Sequence, residues 1–166
     1  SMSIGFGENP YDANLDAYEA KKSQKFLNEQ YSIFGTLNGH SEHSVTIMHL
    51  DVDDITSIRK KKMSPYDTSS LMFKIYSRMS EYFLSKDSLT FFMGGDNFMV
   101  VTNSKLKNFA KEFIQICKDE FQIELNCGIG TAQTSRDAVS LATKSLDTIR
   151  EIRDSGKEKP EIYELN

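Results

Sequence analysis

Phe91-Phe92-Met93-Gly94-Gly95-Asp96-Asn97-Phe98-Met99-Val100-Val101 sets the frame of this chain. Two apolar runs flank a Gly-Gly-Asp-Asn turn, the signature of a β-hairpin whose tip carries one carboxylate on an almost bare backbone. Glycine at 94 and 95 permits positive backbone angles and lets a ligand come close. Upstream, Met48-His49-Leu50-Asp51-Val52-Asp53-Asp54 reads as an apolar strand ending in acids.

Around these two motifs the order is strand (Val45 to Val52), helix (Ser64-Pro65 to about Phe83), hairpin (Leu89 to Val101), helix (Leu106 to Phe121), strand (Ile123 to Gly130) and helix (Thr134 to about Arg153). Glu161 to Leu165 is a final edge-strand candidate. Leu71, Met72, Ile75, Met79 and Phe83 fall on one face of the first of these helices. Asp137 stands three residues after Thr134 as a capping partner. Two strands enter as a hairpin and two through helical crossovers. The expectation is an α+β, ferredoxin-like palm domain: a mixed, mainly antiparallel sheet with helices on one face.

Ahead of this frame, Ser3 to Gly7 is a short strand candidate, and Pro10 opens a helix expected from Tyr11 to about Tyr31. Gly5-x-Gly7 followed by Asp12-Ala13-x-Leu15 parallels Gly128-x-Gly130 followed by Asp137-Ala138-x-x-Leu141. The match suggests that 1–34 is the last strand and helix of a preceding repeat, 35–44 a linker loop, and 45–166 the palm-like catalytic domain. Ser1-Met2 reads as a tag remnant ahead of a start methionine, or ahead of a cut inside a longer protein.

Composition bounds the partners. The 166 residues are 39% hydrophobic and 27% charged, with a net charge of −4. That balance gives no electrostatic footprint for nucleic acid, so affinity for phosphate has to come from local clusters or metal. No apolar run spans a bilayer, and no membrane partner is expected. The N-terminal stretch lacks a signal-peptide segment, which makes a cytoplasmic location the expectation. Cys117 and Cys127, on a helix and a strand, are expected to be free buried thiols. His40-x-x-His43 lacks further zinc ligands, and His49 reads as a satisfied, partly buried strand histidine. No Ser-His-Asp or Cys-His nucleophile arrangement is present.

The acids carry the chemistry. Magnesium takes hard oxygen ligands and keeps several waters, so two or three carboxylates plus substrate phosphates suffice. Asp51 and Asp53 share one face of an extended strand, while Asp54 points the other way or starts a turn. The expected ligands are Asp51 and Asp96, assisted by the Val52 carbonyl and one of Asp53 or Asp54. Each motif alone is also a good hairpin turn or a polar strand end; together, in this frame, they favour a metal. Lys61, within Arg59-Lys60-Lys61-Lys62, could hold phosphates or sit on a solvated basic loop. Lys144, two turns beyond Asp137 on the last helix, has the same two readings. Tyr66, near its helix start, could stack on a purine.

These residues resemble GTP cyclohydrolase III, the archaeal type IIa family, from about Val45 to Arg150. The resemblance rests on His49-x-Asp51, Tyr66-Asp67-Thr68, Phe91-Phe92-x-Gly94-Gly95-Asp96-Asn97-Phe98-Met99, Ile123-Glu124-Leu125-x-x-Gly128-Ile129-Gly130 and Asp137-Ala138-x-x-Leu141-Ala142. GGDEF diguanylate cyclases share the palm but carry Glu-Phe after Gly-Gly-Asp, where Asn97 stands here. The resemblance implies two tandem palm-like halves and magnesium-dependent opening of the guanine imidazole ring of GTP. Pyrophosphate would leave, giving a formylaminopyrimidine ribonucleotide monophosphate for flavin and deazaflavin synthesis. It implies that Asp51 and Asp96 carry metal, that Asn97 sits beside the phosphates, and that Tyr66 and Asp67 lie at the nucleotide pocket. The chain offers about one palm and a fraction, so a homodimer or higher homo-oligomer is expected. Two rivals remain: a nucleotidyl or diguanylate cyclase-like palm enzyme, and a non-catalytic nucleotide-binding module.

Overall fold

The computed structural model describes residues 1–35, 44–53, 63–103 and 108–166. Its main body is a five-stranded sheet in the order β5-β6-β4-β7-β8. The strands are β4 (Val45–Val52), β5 (Leu89–Gly94), β6 (Asn97–Thr102), β7 (Leu125–Ala132) and β8 (Ile162–Leu165). β4 runs antiparallel to both β6 and β7, β5 and β6 form the hairpin, and β7 pairs parallel with β8. The α+β palm with a mixed, mainly antiparallel sheet is therefore present.

The helices do not all lie on one face, as expected above, but cover both. Helix α2 (Pro65–Leu84) and α3 (Phe109–Phe121) pack on one side, α4 (Ser135–Asp154) on the other. The reason is legible in β4. Met48, Leu50 and Val52 join Met72, Ile75, Met79, Phe83, Phe98, Phe113 and Ile114 in the larger core. Ile47 points the other way, onto Ala138 and Ala142 of α4. A central strand apolar on both faces needs a layer on each. Gly128 and Gly130 let α4 lie directly on β7: a Cβ at Gly130 would stand 2.3 Å from both the Ala138 carbonyl and the Ala142 amide.

Local signals set the helix starts. Ser64 accepts from the Asp67 amide while the Asp67 carboxylate accepts from the Ser64 amide, with Pro65 in the first turn. Thr134 caps α4 through the Asp137 amide. Phe98, fully buried, contacts the rings of Tyr76 and Phe92 between β6 and α2. Phe98→Ala is expected to cost about 3–5 kcal/mol, measurable by urea denaturation.

The first helix ends much earlier than expected. α1 covers Pro10–Lys22, and Phe26–Asn28 and Ile33–Gly35 are strands β2 and β3. With β1 (Met2–Ile4) they form a second sheet, β1-β3-β2, in which β1 pairs parallel with β3. This unit is built like β7-α4-β8. A Cβ at Gly5 would stand 1.9 Å from the Ala13 carbonyl and 2.4 Å from the Ala17 amide, as Gly130 meets Ala138 and Ala142. The same sequence offset carries the cap Asn9 onto Thr134 and Asp12 onto Asp137. The structural partner of Gly130 is thus Gly5, two positions from the pairing made by sequence.

Cys117 and Cys127 are free and buried, as expected. Burial pushes the Cys117 thiol up to about 12. Among the described residues, no helix is long and apolar enough to cross a membrane.

Candidate active site

The C-terminal end of β4 meets the tip of the β5–β6 hairpin. Asp51 is opposite Asn97 on one flank and Asn126 on the other. The Val52 amide donates to the Asp96 carbonyl at 3.3 Å. Asp51, near the end of β4, and Asp96, in the β5–β6 turn, are far apart in sequence and are thereby held at one end of the sheet. Gly94 and Gly95 hold φ of 103° and 64°, values that favour glycine.

Asp51 is buried on the α4 side of the sheet. Its Oδ2 accepts from Arg150 Nη2 at 2.7 Å and Nε at 3.2 Å. Its Oδ1 is buried without a hydrogen-bond partner. A buried carboxylate oxygen left unpaired is costly and calls for a missing partner such as a cation or water. Arg150 also binds Asp147 at 3.0 Å. Asp96 is half-buried, and its Oδ1 accepts from Asn97 Nδ2 at 2.9 Å. Asn97 Oδ1 lies 3.2 Å from His49 Nε2, and His49 Nδ1 lies 3.3 Å from Thr143 Oγ1 on α4. Burial lowers the His49 pKa and outweighs the raising effect of the Asn97 contact, so the ring is neutral near pH 7.

Asp53 is differently placed. Arg153 Nη1 (3.2 Å), Lys159 Nζ (3.0 Å) and Asn126 Nδ2 (3.2 Å) all reach its carboxylate. Burial alone would raise its pKa, but hydrogen bonds from Lys159 and Asn126 and the Lys159 charge bring it below the usual range. Asp53 therefore ties the end of α4 and the approach to β8 onto β4.

On the opposite face, a cavity of about 380 Å³ runs between α2 and the hairpin. Pro65, Thr68, Ser69, Met72, Phe73, Phe92, Gly95 and Asp96 line it. The Phe73 and Phe92 ring centroids are 5.6 Å apart. A second hollow continues along α2 past Tyr66, Ser69, Phe73 and Lys74.

Of the residues singled out by sequence, Asp51, Val52, Asp53, Gly94, Gly95, Asp96 and Asn97 meet at this strand end. Tyr66 borders the second hollow and is 83% exposed. Asp67 spends its carboxylate on the Ser64 cap, whose hydrogen bonds lower its pKa. Asp67→Ala is expected to lower the melting temperature slightly through loss of the capping box, as checked by a thermal melt. Lys144 is exposed on α4, beside Thr143. Asp54 and Lys61 lie outside the described residues, as do His40 and His43. Among the described residues, no group of three or more His, Cys, Asp or Glu is arranged to hold a metal. An ion here would draw on two carboxylates, a carbonyl and substrate.

Arg150, Arg153 and Lys159 were not anticipated as partners of the strand-end acids. Arg150 and Arg153, three apart with Asp147, do mark one stripe of a helix. Which strand that stripe meets depends on the helix's docking, which the sequence does not display.

The model of the GTP cyclohydrolase III family matches residues 1–161. GTP cyclohydrolase III of Methanococcus maripaludis (strain S2) is 39% identical over 171 aligned positions, covering 99% of this chain and 62% of that protein. Its counterpart in Methanothermobacter thermautotrophicus is 32% identical, covering 90% of this chain and 61% of that protein. The chain thus spans about three-fifths of the length of these relatives. Among solved structures, a microbial GGDEF domain described in its interaction with bis-(3,5)-cyclic di-GMP superposes with a TM-score of 0.56 at 13% identity, covering 74% of this chain and 80% of that one. An EAL/GGDEF domain protein from M. capsulatus gives 0.55 at 17% identity, covering 75% and 86%. These two speak for the fold: a GGDEF-type palm. With a family model spanning nearly its whole length, the chain belongs to the GTP cyclohydrolase III family.

Proposed function

We propose that this chain binds GTP across the hairpin tip and the α2 cavity and is a catalytic palm of a GTP cyclohydrolase. The reaction opens the guanine imidazole ring and cleaves the phosphate chain at the α-phosphorus, leaving a formylaminopyrimidine ribonucleotide monophosphate. One observation carries the reading. Asp96 lines the apolar cavity and is joined through its backbone to the residue after Asp51, whose Oδ1 has no partner.

The cavity suits a purine: Phe73, Phe92 and Met72 supply flat apolar surface, and Thr68 and Ser69 supply hydroxyls. Gly95 brings bare backbone to the mouth, where phosphates would lie. Arg150, beside Asp51 and partly exposed, adds positive charge at the same strand end. Asp51, Asp96 and the Val52 carbonyl would hold magnesium, and the orphaned Asp51 oxygen fits that role. The ion, when bound, neutralises phosphate charge and makes a bound water more acidic. Asp53, already held by three donors, serves to anchor α4.

The test is to incubate the chain with GTP and magnesium and follow the ultraviolet spectrum and product mass. Loss of the guanine band with a formylaminopyrimidine mass supports the proposal. An intact band with a cyclised product supports a cyclase instead. GTP-dependent thermal stabilisation with no product supports a binding module. The same reading has the chain self-associate, because the N-terminal unit leaves Phe6, Leu15, Tyr18 and Phe26 exposed. Sedimentation is expected to show a homodimer or larger species, and a monomer at all concentrations would contradict it.

A further inference from the structure

His49 stands out because it touches neither the cavity nor an acid, yet sits in the middle of a chain of contacts that reaches Asp96. Thr143 Oγ1 on α4, His49 on β4 and Asn97 on β6 are linked at 3.3 and 3.2 Å, and Asn97 Nδ2 donates to Asp96 Oδ1 at 2.9 Å. Asn97 spends its amide nitrogen on Asp96, so its oxygen must accept from His49, which puts the proton on Nε2. Nδ1 then accepts from the Thr143 hydroxyl. Every atom of the relay has one role, and it spans three elements of the fold.

We propose that His49 is a positioning residue: by donating from Nε2 to Asn97 it fixes the amide that holds the Asp96 carboxylate at the edge of the α2 cavity. Asp96 sits in a two-residue turn directly after two glycines with positive φ, where little else restrains a side chain. Thr143 in turn fixes the ring and its tautomer. This inference rests on the reading of Asp96 as a cation ligand. Partners that orient a ligand without touching the ion govern its affinity by about 10–100-fold when lost.

The experiment uses the full chain with manganese as the probe, its free fraction read by electron paramagnetic resonance with GTP present. His49→Leu is expected to weaken manganese binding about tenfold. His49→Gln, whose amide N–H can replace the Nε2 donor, is expected to recover most of that loss. Thr143→Val, which leaves His49 and Asn97 in place, is expected to weaken binding a few-fold, less than loss of the Nε2 donor itself, because Thr143 acts only through the ring. A thermal melt of each variant separates this from general loosening, since a packing role would lower Tm equally in Leu and Gln variants without a difference in manganese affinity. Wild-type affinity in His49→Leu, or equal loss in the Leu and Gln variants, overturns the proposal. Should His49→Leu fail to fold, unchanged affinity in Thr143→Val overturns it. Absence of manganese binding by the wild-type chain itself overturns the metal reading, and this inference with it.

Discussion

Asp96→Asn is expected to weaken magnesium-dependent GTP binding by about 100-fold or more while the protein stays folded. Loss of residues that merely orient a metal ligand costs about 10–100-fold, so loss of a charged ligand belongs at or above the upper end. Asparagine keeps the oxygen that accepts from Asn97 Nδ2 at 2.9 Å, and the Val52 amide bonds to the Asp96 backbone, which the substitution leaves alone. The position is half-buried in a turn, so the stability change should stay within about 0.5 kcal/mol. Titration calorimetry of GTP with and without magnesium, beside a thermal melt, reads both quantities. Unchanged magnesium-dependent binding would remove Asp96 from the site.

Gly130→Ala is expected to destabilise the palm by about 3 kcal/mol or more, the upper end of overpacking effects. The new methyl would meet the Ala138 carbonyl and the Ala142 amide at 2.3 Å, and both are backbone atoms that no rotamer change can move. α4 would have to lift from β7, opening the Ile47–Ala138–Ala142 core and drawing Arg150 away from Asp51. For a chain of this size the melting temperature should fall by roughly 6–12 °C. Gly5→Ala offers a comparison: the clash is as close, but it falls in the three-stranded N-terminal sheet. Thermal unfolding followed by circular dichroism distinguishes the two, and a Gly130→Ala protein as stable as wild type would refute the close packing of α4.

The hairpin, β4 and the starts of α2 and α4 were readable because short-range chemistry sets them: apolar runs, paired glycines, and Ser-Pro-x-Asp or Thr-x-x-Asp caps. The end of α1 was not, because the chain turns without glycine or proline. Gln24 and Ser32 take positive φ of 53° and 51°, which favours glycine, so composition leaves no mark there. The second helical layer was hidden for another reason. An apolar strand announces that it is buried, but not which helix covers each face; only the close approach of α4 to Gly128 and Gly130 reveals it. At the site, Asp51 and Asp96 were legible as acids at a strand end and a hairpin tip. Their supporting groups were not. Arg150, Lys159 and the Thr143–His49–Asn97 chain depend on how helices rotate against the sheet, which is a tertiary property.

Iron(II)-directed backbone cleavage, with iron replacing magnesium in the presence of GTP and ascorbate, tests whether Asp51 and Asp96 serve one cation. Radicals formed at the ion cut only the nearest peptide bonds. Fragments ending near residue 51 and near residue 96, both suppressed by excess magnesium, are the expected result. Cuts confined to one of these segments, or falling elsewhere, would contradict a shared ion and with it the proposed chemistry.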